Sequence, residues 1–399
     1  MNRKIVEKKK LVDFIYISFN NFLIPLISLS QFILIVRISG IKLWTVLAIG
    51  LSLGGIAQAL IDRGYANSGS SLLFKEKNLY FLAVDSIRHR FPVFIALAIG
   101  GLVPLILIDS ENSKIIYLSY FSLCLSGLSV DWVQISGGRY VPLLLTSAVP
   151  RLGSSIVGLV SYVFTQRISA ILITSIINSA LNVVLGVYSL YSSKMPSENR
   201  EKQLLRREDF VLRVTNDIIW LMPIPLINHF SSVIAPLFTF IDRLLKFQLL
   251  FVLQSTTQFL TSSMLGTGNQ ARRKFHESLL IHAVIGTIFG IGTFFLLPEV
   301  AHAISDEELT IASIDALYIG MFAFFLFITR ALTQHYFLLT SQKPLIIKCN
   351  CIFIGFSFLI FSSGVSSYSQ LLILQAMLQG TVVLIYLLIY LRQEFIGKN

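Results

Sequence analysis

Charge is the scarcest thing in this sequence: Asp, Glu, Lys and Arg make up 13% of its 399 residues. An average soluble domain carries roughly 25%, so most of this surface is solvated by something other than water. That excludes an ordinary cytosolic enzyme. Long polar stretches are missing too, apart from residues 62–90 and 192–209, which leaves no room for a soluble catalytic domain. Cysteine is rare, and Cys124, Cys349 and Cys351 all sit in apolar runs, where a small core residue is the expected role rather than a disulfide or zinc ligand. No Walker motif, metal-ligand cluster or Ser/His/Asp grouping is found, and no cofactor is implied. The basic excess, 32 Lys and Arg against 21 Asp and Glu, is small enough to reflect loop placement, and nucleic acid is not an expected partner.

What the sequence has in abundance is apolar length, with 54% hydrophobic residues and a mean hydropathy of +0.74. A membrane span needs about 20 mainly apolar residues. By that measure the chain holds about twelve: 11–36, 41–61, 91–108, 115–135, 141–164, 168–191, 209–234, 236–264, 278–298, 311–339, 345–363 and 370–391. The first is too long for a signal-peptide core and lacks a small-residue cleavage site, so it reads as a retained helix. The expectation is an all-α polytopic membrane protein of two six-helix lobes, residues 1–191 and 209–399, joined by a cytoplasmic linker at 192–208. A cytoplasmic N-terminus puts 24 of the 32 basic residues in cytoplasmic segments and 4 in outer loops. The positive-inside rule therefore predicts both termini inside.

Predicted spans 1 and 7 share an echo, Ile24-Pro25-Leu26-Ile27-Ser28 against Ile224-Pro225-Leu226-Ile227-Asn228. Repeated lobes produce such symmetry. Each proline removes a backbone donor, so both spans are expected to bend and line a cavity. The segment from Ala66 to Arg90 mixes apolar and basic residues and reads either as an interfacial helix against anionic lipid or as a plain polar loop.

A charge at mid-bilayer costs roughly 2.5–3.5 kcal/mol on the insertion scale, so one held there normally faces a partner or a pathway. Arg151 lies about ten residues into predicted span 5, close to the midplane, with no acid within a turn of it. Span 8 carries Asp242, Arg243, Lys246, Gln254, Thr257, Gln258 and Thr261; span 7 carries Asn216, Asp217, Asn228 and His229. Span 10 adds Arg330, Gln334 and His335, and span 1 adds Asn20, Asn21 and Gln31. Blander roles compete with these. Asp242 and Lys246 stand in the favourable i,i+4 order to neutralise each other, as do Arg213 and Asp217, while His282 and His335 suit satisfied or interfacial positions. Inward cations with few unpaired acids point to an anionic substrate.

Several local patterns fall in the order found in one family. They are Val36-Arg37-Ile38-Ser39-Gly40 closing span 1, Asp62-Arg63-Gly64-Tyr65-Ala66-Asn67-Ser68 ending span 2, and Asp131-Trp132-Val133-Gln134-Ile135-Ser136-Gly137 between spans 4 and 5. Arg151 follows, then Arg243, the stretch Asn269 to Glu277, and Pro298 closing span 9. With these the chain resembles the Wzx-type oligosaccharide flippases of the multidrug/oligosaccharidyl-lipid/polysaccharide (MOP) exporter superfamily over nearly its whole length. It departs from them in having Arg63 where an aromatic is usual and no proline before Trp132.

The resemblance implies two six-helix lobes around a cationic cavity in a bacterial cytoplasmic (inner) membrane. The cargo would be an undecaprenyl-diphosphate-linked oligosaccharide, carried to the outer leaflet for O-antigen, capsule or exopolysaccharide synthesis. Membrane lipids, a polysaccharide polymerase and a chain-length regulator would be partners. An Arg fork suits a diphosphate, which gives Arg151, Arg243 and Arg330 that role, with Lys246 beside them. Asn20, Asn21, Asn228 and Gln254 would contact sugar, and Asp217, Asp242 or His229 would carry a coupling ion. The alternatives are a major-facilitator carrier, a multidrug-type cation exporter, and a membrane-embedded polysaccharide polymerase. The first lacks its basic cluster after Gly64, the second wants unpaired acids, and the third needs a large outer loop.

Overall fold

The computed structural model describes residues 3–65, 78–107, 110–137, 139–191, 207–247, 269–305, 311–331, 343–363 and 367–396, with side chains for most of them from Pro25 onward. Among the described residues all regular structure is helical. The first element, α1 (Arg3–Asp62), is a hairpin of two helices. Its backbone leaves helical dihedrals only at Gly40, with φ 78° and ψ 166°, a region open essentially to glycine alone. The Phe32 and Trp44 rings on either side lie 4.8 Å apart, whereas twelve residues of straight helix would separate them by about 18 Å. The chain therefore turns back at Gly40, and two spans join with no loop between them.

The returning arm lies against α3 (Glu111–Ser126) because Gly50 and Gly54 present bare backbone. A methyl on Gly50 would collide with the Ser119 hydroxyl, and one on Gly54 would lie 2.7 Å from the Tyr120 carbonyl oxygen. Small residues four apart are the usual means by which membrane helices approach closely. Between these elements runs α2 (Leu79–Leu107), and α4 (Asp131–Ser136) follows α3. A short helix, α5 (Tyr140–Leu143), passes through a π turn, Leu144–Ala148, into α6 (Val149–Thr165). The cause is local: Pro150 has no N–H to donate into an α-helical ladder, and the wider turn bonds the Val149 N–H to the Leu144 carbonyl instead. Three consecutive residues, Thr146, Ser147 and Ala148, are thereby all buried. Gln166, left-handed at φ 53°, ends α6, and α7 (Ser169–Leu190) returns antiparallel.

Next come α8 (Arg207–Leu221) and α9 (Pro223–Phe230), bent by 42°. The break falls at Met222, whose helical conformation Pro223 disfavours. Span 7 is thus bent as expected, but before Pro223 rather than at Pro225, which sits inside α9. Pro25 in span 1, by contrast, sits in helix that stays regular up to Gly40. Helical residues 235–247 form α10; α11 (Asn269–Ser305), α12 (Ser313–Ala331), α13 (Lys343–Ser362) and α14 (Tyr368–Ile396) complete the chain.

Eight stretches are long and apolar enough to cross a membrane, and α8 with α9 makes a ninth. One of the eight, Pro25–Asp62, contains the Gly40 reversal and so accounts for two passes. With α12, whose apolar stretch is Ser313–Thr329, the described residues hold eleven of the dozen passes expected.

Contacts divide the chain into two compact units, Met1–Pro225 and Leu226–Asn399. In the first, α1 packs on α3 and α8, and α7 on α3 and α6. The outward face of α6, including Ile156, Val160 and Val163, is exposed, as expected of a surface that lipid solvates. In the second, α11 packs on α12, and α14 on α12 and α13; Gly290 and Gly320 bring α11 and α12 into backbone contact.

One sequence expectation needs correction. Residues 79–90 form the first turns of α2 rather than an interfacial helix or a polar loop; residues 66–77 lie outside the described set. Arg90, the last residue of that segment, has no exposed surface at all.

A polar site within the first unit

Arg90 illustrates what a buried cation looks like when the protein itself satisfies it. Its Nε donates to the Ser86 carbonyl, and one terminal nitrogen donates to the carbonyls of Gly127 (2.9 Å) and Ser129 (3.0 Å). The other terminal nitrogen reaches the Ser86 hydroxyl (3.0 Å) and the Leu128 carbonyl (3.2 Å). All five N–H donors of a guanidinium are therefore engaged. The carbonyls it reaches lie just past the end of α3, where a helix leaves acceptors unfilled and favours a cation. Asp62 at 3.8 Å and the face of Tyr65 at 5.4 Å complete its surroundings. This arginine closes a helix end.

A second polar cluster joins α4, the π turn and α7. Gln134, fully buried, donates to the Ser189 hydroxyl at 2.9 Å and to Thr146 at 3.2 Å. One turn back, Asp131 Oδ2 accepts from the Ser147 hydroxyl (3.0 Å) and the Asn182 amide (3.3 Å). Ser129 in turn donates to Asn182 Oδ1 at 3.2 Å. The π turn makes this possible by turning Thr146 toward Gln134 and Ser147 toward Asp131.

Two acceptors in this region are left open. Asp131 Oδ1 and Asn178 Oδ1 are both buried without a hydrogen-bond partner. Buried polar groups are normally paired, so such open atoms call for an explanation. Arg151 lies one turn beyond Ser147. Among the described residues the half-buried Arg151 side chain makes no hydrogen bond and no ion pair, and Asp131 is the acid whose charge reaches it through space.

The cluster can hold a negatively charged group on Arg151 and hydrogen-bond donors on Asp131 and Asn178. Of its members, the sequence singled out Arg151 by its charge. Asp131 and Gln134 entered only through the family pattern, and Ser147, Asn178 and Asn182 were missed. Asn178 and Asn182, four apart in an otherwise apolar span, were the available signal, since i,i+4 residues share a helix face.

Other anticipated residues fare differently. Lys246 and Asp242 meet at 2.6 Å, and Arg213 and Asp217 at 3.0 Å, so both expected i,i+4 pairs form. Arg243 is half-buried beside Asp242. Asn228 is half-buried, and His229 is exposed with its ring edge-on to Phe230 at 4.8 Å. Arg330 is helical in α12, and Asn20 and Asn21 are helical in α1, but their side chains lie outside the described set, as does the whole of Gln254. Cys124 is fully buried, as a core residue should be, whereas Cys351 faces outward on α13.

No protein-family model matches the sequence, and a search of curated proteins finds no match. Solved structures do match. A multidrug resistance MATE family transporter of the MOP superfamily, in its inward-facing conformation, superposes with TM-score 0.65 at 11% identity, covering 96% of each chain. An outward-facing conformation of such a transporter gives 0.62 at 12% identity, covering 97% of this chain and 96% of the other. A MATE structure in the bent conformation gives 0.63 at 11% identity over 98% and 96%. The fold is MATE-like, of the MOP type. It covers both units and nearly every residue. At this identity the likeness concerns architecture, and the alternative of a major-facilitator fold is set aside by it.

Proposed function

We propose that this chain is a membrane transporter working by alternating access, with both termini in the cytoplasm of a bacterium. Its cargo on this reading is a polyprenyl-diphosphate-linked oligosaccharide, moved to the outer leaflet of the inner membrane. The observation that carries the choice of an anionic cargo is Arg151, a cation in a membrane-spanning helix with no side-chain partner among the described residues. A guanidinium in that state binds phosphate well, because its planar fork matches two oxygens at once. Arg90 shows that the same bundle can fill all five donors where the role is structural.

The test is depletion of the protein in cells whose glycan synthesis and polymerase are intact, scored with a membrane-impermeant sugar label. Lipid-linked glycan should accumulate out of reach of the label. Arg151→Ala at normal protein level should reproduce this. Glycan that still reaches the outer face in depleted cells removes the flippase reading.

A second reading is multidrug-type efflux of a small solute. Two observations favour it: two of the matched structures are multidrug resistance transporters, and Asp131 has an open carboxylate oxygen, which an organic cation would seek. It expects ethidium to accumulate more in depleted cells than in normal ones.

A further inference from the structure

Two exposed arginines of the first unit, Arg63 and Arg88, have no part in the transport just proposed. Arg88 lies in the early turns of α2 and makes no hydrogen bond or ion pair among the described residues. At about 100° per residue it stands in the middle of a row that continues through Phe91, Ile95, Ile99 and Val103, all of them exposed apolar side chains. That row is a surface lipid solvates, and Arg88 marks the level at which it gives way to polar residues.

Arg63 reaches the same place from α1. Its N–H bonds the Ala59 carbonyl at 3.3 Å, and its backbone is left-handed at φ 52°, a conformation that costs energy for a residue with a side chain. Gly64 follows at φ 82°, where a Cβ would lie 2.8 Å from the Phe210 nitrogen in the first turn of α8. The Arg63 side chain crosses from this turn to α2 and donates through Nη1 to the His89 carbonyl at 3.3 Å. Its other N–H groups have no partner among the described residues. Of the acids near by, Asp62 is held by Arg90, and Asp85 lies 3.5 Å from His89 Nδ1.

Two guanidinium groups against one carboxylate leave a net positive spot, and it sits at the end of a lipid-facing row. A soluble anion would use the charge and leave the row bare. A phospholipid uses both, with its phosphate on the arginines and its chains along the helix.

We propose that Arg63 and Arg88 bind the headgroup of an anionic phospholipid whose acyl chains lie along Phe91, Ile95 and Ile99. In the orientation proposed above this lipid belongs to the inner leaflet. Since Gly64 is pressed on α8, a lipid holding Arg63 also steadies the contact between α1 and α8.

Native mass spectrometry of the purified full chain in detergent tests this, with phosphatidylglycerol and phosphatidylcholine of identical chains as probes. One arginine near an anionic surface is worth about fivefold in affinity, so the wild type should prefer phosphatidylglycerol by about tenfold or more. Arg63→Asn with Arg88→Gln should lower the preference to about twofold or less. Both positions are exposed, and asparagine tolerates the left-handed turn, so the double variant should fold. Arg167→Gln is the control. The bond between Tyr162 and Ser39 sets the end of α6 at the Gly40 turn, the opposite end of the α1 arm from Arg63, and this variant should keep the full preference.

Equal binding of the two lipids by the wild type overturns the inference, as does a full preference in the double variant. An equal loss in Arg167→Gln would reduce the effect to net charge and overturn it too. Displacement of phosphatidylglycerol by millimolar inorganic phosphate would make this a site for soluble phosphate instead. If Arg151→Gln abolishes the preference and the double variant does not, the lipid sits in the cargo site; this inference then falls while the anionic-cargo reading stands.

Discussion

Arg90 and Arg151 lie in the same unit and carry the same charge, yet opposite consequences should follow from removing them. Arg90→Met would strand the carbonyls of Gly127, Leu128 and Ser129 in the bundle interior. Breaking a buried charge network of this kind costs about 3–5 kcal/mol. Arg151→Met strands no partner, so its effect on stability should stay within about 1 kcal/mol. Thermal unfolding of the two variants in one detergent checks this, and a larger loss for Arg151→Met would contradict it.

The sequence distinguishes these residues poorly. Arg151 stands alone in an apolar run and announces itself, whereas Arg90 follows Arg88 and His89 and so is taken for part of a polar loop. That local density of charge hides the first turns of α2. The amides Asn178 and Asn182 carry no charge, and a search for costly charges passes over them.

Helices and their ends were more legible than their shapes. Apolar run length located nearly every element, because a chain in lipid has to satisfy its backbone within each span. The π turn was not legible as such, although Pro150 in mid-span was its visible cause, and without the π turn Ser147 and Thr146 would not face the same network. The hairpin at Gly40 was half visible: the sequence separates spans 1 and 2 by only a few residues, but a reversal through one glycine shows only in the structure.

Close packing gives a test at this scale. Gly54→Ala places a methyl 2.7 Å from the Tyr120 carbonyl, an overpacking that should destabilise by about 1–3 kcal/mol. Gly100→Ala in α2 meets nothing within 4 Å and should raise stability by up to about 1 kcal/mol through helix propensity. Unfolding temperatures of the pair, measured side by side, should move in opposite directions; a shared direction would mean that the α1–α3 contact is looser than described.

For the whole molecule, the number of spans follows from composition and run length, the MATE-like architecture was legible only through a resemblance to a known family, and orientation is a separate claim. It rests on where the basic residues fall and can be tested at the two ends of α7. That helix has 22 residues, about 33 Å and enough to cross the hydrocarbon core. Gln166 before it and Tyr191 after it are both exposed. With Cys124, Cys349 and Cys351 replaced by Ala, Gln166→Cys should react with an impermeant maleimide on intact cells. Tyr191→Cys should react only after permeabilisation; the reverse pattern would invert the topology.

The turn at Gly40 has a consequence for how such a protein is made. With no loop between its arms, the first span has nothing to hold it on the far side of the membrane while the second is still being synthesised. The two arms should leave the insertion machinery together as one preassembled wedge, their rings at Phe32 and Trp44 already in contact. A side chain at Gly40 would then act during biogenesis, before any cargo is met, and would show as a loss of inserted protein instead of a loss of transport rate.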